Sequence, residues 1–147
     1  MKSLMISILL FAFAQTAQAA PVLLNEGQSK KLYNALAVFG LRTPHPADYQ
    51  TREWAKPVIC ARDVAMGGVT YTCLLHDEFH NVNVQKSGMA AKNIYLALKA
   101  VNGADCEGSR CISRSTDVKC IYYWPNKQRP PERRYLCAIE PISAAVE

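Results

Sequence analysis

The chain contains no Cys-x-x-Cys pair, no Gly-x-Ser-x-Gly string and, after residue 19, no apolar run long enough to span a bilayer. The first absence weakens zinc-knuckle and thioredoxin-like readings. The second removes the strand-to-helix elbow that presents the nucleophile of many serine hydrolases. The third leaves no membrane-spanning helix to expect. Histidine is scarce, with His45, His76 and His80 alone, and none has a recognisable catalytic partner in sequence. Gly67-Gly68 is followed by no lysine–serine run opening a helix, so it reads as a turn and not as a phosphate cradle. Excess positive charge is modest: the net +5 falls to +4 without Lys2. That is well short of a dedicated nucleic-acid binder, and no specific nucleic-acid partner is expected.

What is present begins with an export signal. Lys2 supplies a short positive region, "LMISILLFAF" an apolar one, and "AQA" ending at Ala19 a small-x-small cleavage site. Residues 1–19 therefore read as a signal peptide of bacterial type, with the periplasm or the medium as destination. No cysteine lies near the cut, which disfavours a lipid anchor. Residues 20–147 are of a length to form one domain with a modest core.

All six cysteines lie in that part: Cys60, Cys73, Cys106, Cys111, Cys120 and Cys137. An even count in an exported chain points to three disulfides, and six cysteines allow 15 pairings. A repeat narrows the choice. "KKLYNALAVF" at 30–39 recurs as "KNIYLALKAV" at 92–101, a spacing of 62. Leu32, Leu36 and Phe39 form one apolar stripe, matched by Ile94, Leu98 and Val101, with Ala35 and Ala97 on the same side. Asn25 and Ser87 stand as N-caps before the two helices, and Gly40 and Gly103 as caps after them. "PVLL" and "VNV" precede the caps as short β-prone runs. Downstream, "VIC" and "YTC" at 58–60 and 71–73 match "VKC" and "YLC" at 118–120 and 135–137.

Each copy thus reads as short strand, helix, variable connection and β-hairpin with one cysteine per strand. The copies span about residues 21–76 and 83–140 of a single disulfide-stapled domain. Opposing Cys60 to Cys73 also opposes Val64 to Val69 and leaves residues 65–68 as the loop. It puts Val58, Tyr71 and Leu75 on the cysteines' face, with Asp63, Thr70 and Thr72 behind. Opposing Cys120 to Cys137 groups Val118, Tyr122, Trp124, Tyr135 and Ile139. The favoured bonds are Cys60–Cys73, Cys120–Cys137 and Cys106–Cys111; a bond crossing between the copies remains compatible with the sequence. The fold class expected is α+β, with the hairpins joined in an antiparallel sheet of four to six strands and two helices covering its apolar face.

Function is sought where the copies differ. The first connection, "LRTPHPADYQTREWAKP", is proline-rich and holds Trp54, whereas the second, "NGADCEGSRCISRSTD", is closed by its own cysteine pair. The first hairpin tip reads "AMGG" and the second "PNKQRPPERR". Beside "YYW", the second tip combines proline stiffness with Lys127, Arg129, Arg133 and Arg134. Aromatic residues and arginine dominate binding hot spots, and proline lowers the entropy lost on docking. Trp124, Lys127, Arg129, Arg133 and Arg134 are the candidate binding residues. The plain alternative is that Trp124 and Tyr122 join the core and the charges solvate a hairpin end.

The most enzyme-like string is "HDEFH" at 76–80. As a helix it would put His76 and His80 on one face, but it departs from the H-E-x-x-H of zinc proteases and directly follows an expected strand. The expectation is a monomeric binding module without catalysis, metal or other cofactor, an inhibitor of a hydrolase or a binder of an envelope component. Its partner is a protein or an anionic envelope component. The competing expectation is a small secreted hydrolase or nuclease using His76 and His80, with Glu78 and the basic tip assisting.

Overall fold

Consecutive elements alternate between an extended lead-in, one amphipathic helix and runs of strand. The computed structural model describes residues 20–39, 42–43, 51–77, 81–123 and 134–142. The expected signal peptide, residues 1–19, and the expected cap Gly40 lie outside the described residues. The first half holds β1 (Val22–Leu23), α1 (Glu26–Val38), β2 (Arg42–Thr43), β3 (Thr51–Ala55), β4 (Val58–Ala65) and β5 (Gly68–Asp77). The second holds β6 (Val82–Ser87), α2 (Met89–Asn102), β7 (Asp105–Glu107), β8 (Arg110–Ser115), β9 (Val118–Tyr123) and β10 (Arg134–Ile139). The class is α+β, and among the described residues every strand pair is antiparallel. Among the described residues no helix is long and apolar enough to cross a membrane.

The strands form two five-stranded sheets, in the orders β1-β10-β9-β3-β2 and β6-β5-β4-β8-β7. Replacing each element of one half by its counterpart in the other converts the first order into the second. The residue registers agree as well. Leu23 faces Ala138 as Gln85 faces Leu74, Thr43 faces Arg52 as Asp105 faces Ile112, and Cys137 faces Cys120 as Cys73 faces Cys60. The two hairpins therefore do not join each other in one sheet. The connections supply β3 and β8, which occupy the outer edges of β9 and β4, while β1 and β6 occupy those of β10 and β5. With both edges taken, neither hairpin has a strand left to pair with the other.

Each sheet mixes the halves: β1 to β3 are completed by the second half's hairpin, and β6 to β8 by the first half's. The exchange passes through two continuous runs. β3 leads into β4 through Lys56 and Pro57, and β8 into β9 through residues 116–117. Lys56 N donates to His76 O (3.0 Å) and His76 N to Pro57 O (3.1 Å), so β5 stays bonded across the junction.

Helix packing follows the same exchange. α1 covers β10, β9 and β3, and α2 covers β5, β4 and β8. Leu32 and Leu36 from α1, its C-cap Phe39, and Ile94 and Leu98 from α2 are buried, in one core with Val58, Leu75, Val118 and Ile139. The recurring Lys and Tyr of the helices have matching duties. Tyr33 meets Tyr135 with ring centroids 5.3 Å apart, and its counterpart Tyr95 meets Tyr71 at 5.5 Å. Lys30 Nζ stands 5.9 Å from the Tyr135 ring, and Lys92 Nζ stands 5.9 Å from that of Tyr71. Such cation–π contacts at exposed sites contribute about 0.5–1 kcal/mol.

Disulfides link Cys60 to Cys73, Cys106 to Cys111 and Cys120 to Cys137. Their Cα separations of 4.0–4.1 Å suit directly opposed residues of non-hydrogen-bonded pairs. Both hairpin disulfides are buried under a helix that comes from the other half. Cys137 Sγ lies 3.2 Å from Ser29 O and Cys73 Sγ lies 3.3 Å from Ala91 O, at equivalent helix positions.

Three local expectations are refined. Asn25 is the N-cap of α1: its Oδ1 accepts from Gln28 N (2.8 Å), and Gln28 Oε1 accepts from Asn25 N (3.3 Å), a capping box. Ser87 is not its counterpart. It remains in β6 opposite Thr72, and Gly88 caps α2 at φ 96°, a left-handed turn from strand into helix that favours glycine. The first hairpin closes on Met66-Gly67 alone, because Ala65 pairs with Gly68.

One buried polar contact marks where the halves differ within the scaffold. β1 ends at Leu23, and Ser29 bridges the gap: its hydroxyl donates to Leu24 O (3.3 Å) and accepts from Cys137 N (2.9 Å). At the equivalent site, β6 runs on past Lys86 opposite Cys73, and the helix carries the buried Ala91. Ser29→Ala is expected to lose about 1–3 kcal/mol in urea unfolding, because it leaves the buried Cys137 N–H without its acceptor. A loss below about 0.5 kcal/mol would show that the bridge is dispensable.

Candidate binding surface

The base of the second hairpin is built where β9 and β10 emerge from under α1. Tyr122 and Tyr135 face each other in the register, half-buried, with ring centroids 6.3 Å apart. Tyr33 of α1 meets both, edge-on to Tyr122 at 5.4 Å. Edge-to-face tyrosines of this kind add about 0.5–1.5 kcal/mol beyond their burial and hold the two strand ends in one geometry. Tyr122 thus packs against the core.

One residue further on, Tyr123 pairs with Arg134, the last described rung on the way to the tip. Arg134 Nη1 donates to Glu26 Oε2 at 2.7 Å, with both side chains 48% exposed. A half-exposed pair is worth about 0.2–1 kcal/mol, so this contact orients the strand end more than it stabilises the fold. Glu26 sits in the first turn of α1, where a carboxylate also meets the helix dipole favourably.

Of the candidate binding residues, Arg134 is thus placed, at the base of the tip. Trp124, Lys127, Arg129 and Arg133 lie outside the described residues. The structure adds Glu26, Lys30 and the three tyrosines to the base. For Lys30, Tyr33 and Tyr135 the repeat itself carried the signal, since their counterparts Lys92, Tyr95 and Tyr71 recur in order. For Glu26 a first-turn acid was the only hint.

The equivalent hairpin end is different. There Arg62 stands where Tyr122 does in the second hairpin, and the strands run on to a two-residue turn. The cysteine spacing records the same asymmetry: 13 positions from Cys60 to Cys73 and 17 from Cys120 to Cys137. The scaffold is shared, and the second tip is four residues longer.

The histidine string resolves differently from the helix considered for it. His76 and Asp77 belong to β5, so the string opens in a strand and not in a helix. His76 Nδ1 lies 2.8 Å from Asn83 Oδ1 on the facing strand β6, and Asp77 is buried. Glu78, His80 and His45 lie outside the described residues. Among the described residues no group of three or more His, Cys, Asp or Glu side chains is arranged to hold a metal ion. Comparison of the chain with protein-family models, curated proteins and solved structures finds no match.

Proposed function

We propose that this protein is a small exported binding module without catalytic activity, which engages a protein or an anionic envelope component through the tip of its second hairpin. In this reading Trp124, Lys127, Arg129 and Arg133 make the contact, and Arg134 holds the tip's base against α1. The observation that carries it is the asymmetry of two hairpins that otherwise share register, disulfide and helix cover. Met66-Gly67 closes one, whereas residues 124–133 intervene between paired Tyr123 and Arg134 in the other. A scaffold built twice on one plan has no packing need for a longer, proline-stiffened and cationic tip on one side only. Recognition supplies that need, because rigid loops rich in arginine and aromatic residues lose little entropy on docking.

The test compares immobilised wild type with Lys127→Ala/Arg129→Ala/Arg133→Ala, using periplasmic extract and purified anionic envelope polymer. Retention of the partner by the variant is expected to fall at least roughly tenfold, equivalent to about 1.4 kcal/mol. Retention by the wild type is expected to weaken as salt rises. Undiminished retention by the variant removes the tip from the contact. Hydrolysis by the wild type that is lost in His76→Ala/His80→Ala would replace the binding-module reading with the hydrolase.

A further inference from the structure

The pairing of the two halves identifies a second place where they differ, between the helices. Leu24 and Lys86 are equivalent positions, as are Ala100 and Val38. On one side of the helix pair Lys86 reaches over the last turn of α1. Its Nζ donates to Val38 O at 2.6 Å and stands 5.8 Å from the Phe39 ring. The cation there meets the carbonyl end of a helix, its favoured partner. On the other side the equivalent pair is Leu24 and Ala100, and a groove of about 200 Å³ lies open between α1 and α2. Leu24, Leu96, Ala97 and Ala100 form its apolar walls. Gln28, Lys31 and Asn93 form its polar rim, with Lys31 exposed and no carboxylate among the described lining residues.

The geometry points to this groove as a seat for one aliphatic side chain of a partner protein, carried on an acidic segment whose neighbouring carboxylate meets Lys31. The inference rests on the binding-module reading and names the partner as a protein. Size argues for a side chain over a free metabolite, because small-molecule pockets enclose about 300–1,000 Å³ and bury most of their ligand. Hot-spot anchors, in contrast, fill small pockets rimmed by polar groups. Charge argues for an acidic segment, since Lys31 is the ionic group among the described lining residues. Continuity argues for the same partner as the tip. Lys30, beside Lys31, lies over Tyr135, and Glu26 binds Arg134, so two turns of α1 join the groove to the base of the tip.

The test titrates the isotopically labelled protein with the blocked peptide Glu-Glu-Leu-Glu-Glu, following backbone amide shifts. Saturable shifts are expected at Lys31, Asn93, Leu96 and Ala97, with roughly tenfold weaker binding in Lys31→Glu. Replacing the peptide's leucine by serine, or its glutamates by lysines, is expected to abolish the shifts. Absence of shifts at the groove, or equal shifts from either control peptide, overturns the proposal. Shifts at the groove are read apart from any at Tyr123 and Arg134, so a failed tip leaves the groove result readable. Saturable shifts confined to Tyr123 and Arg134 would place the peptide elsewhere and overturn the groove.

Discussion

Replacing Cys120 and Cys137 together by alanine is expected to lower the unfolding free energy by about 3 kcal/mol, and replacing Cys60 and Cys73 by about the same. The disulfides close loops of 17 and 13 positions. In the chain-entropy account loops of about 15 residues are worth about 3 kcal/mol, and native disulfides of small secreted domains about 2–5 kcal/mol. Both bonds are buried, and each lies beneath a helix of the opposite half. Losing either therefore also leaves space in the shared core. The Cys106–Cys111 bond closes only 5 positions at the exposed β7–β8 turn, and its removal is expected to cost about 2 kcal/mol or less. Against a total stability of about 5–15 kcal/mol, the loss of either hairpin bond is a large fraction. Urea titrations of the three double variants check the order. A Cys106–Cys111 effect as large as the hairpin effects would contradict it.

Leu36→Ala and Leu98→Ala are expected to cost about 2–5 kcal/mol each, and to resemble one another within about 1 kcal/mol. The two leucines are fully buried at equivalent helix positions, one over each sheet. The location of the damage is more informative than its size. Because α1 lies over β9 and β10, Leu36→Ala should speed amide exchange in that hairpin, although it belongs to the other half of the chain. Leu98→Ala should do the same to β4 and β5. Exchange that accelerates first in the hairpin of the mutated half would contradict the packing described.

The sequence was readable where short-range chemistry decides the structure. Asn25 announced a helix start, and the apolar stripes announced which helix faces are buried. The alternation around Cys60, Cys73, Cys120 and Cys137 set both hairpin registers. It was less readable where the partner of a face had to be chosen. An apolar stripe says that a helix is covered, not whether its own hairpin or the other half's covers it. The connections hid strands for a local reason. β8 turns Ser113 and Ser115 inward and Ile112 and Arg114 outward, the reverse of an amphipathic strand. The buried hydroxyls are satisfied by carbonyls: Ser113 donates to Gly103 O (2.7 Å) and Ser115 to Glu140 O (2.8 Å). Asn102 reinforces that junction, donating to Arg114 O and Glu140 O and accepting from Ile142 N. No apolar pattern marks such a strand, so "CISRST" reads as a loop until its hydrogen bonds are seen.

The candidate surface was partly readable for the same reason. Charge and proline density singled out the second tip, and the repeat showed that the first tip lacks both. The groove between the helices could not be found that way. It depends on Leu24 meeting Ala100 where Lys86 meets Val38, which becomes visible only after the halves are set in register.

Two equivalent halves exchange hairpins, so that each helix covers the hairpin of the other half. Proton–proton nuclear Overhauser contacts among the tyrosine rings test it most directly. The rings of Tyr33, Tyr122 and Tyr135 should share contacts, Tyr95 should contact Tyr71, and Tyr33 should show none to Tyr71. Contacts from Tyr33 to Tyr71 and from Tyr95 to Tyr135 would mean that each helix covers its own hairpin, and would contradict the exchange.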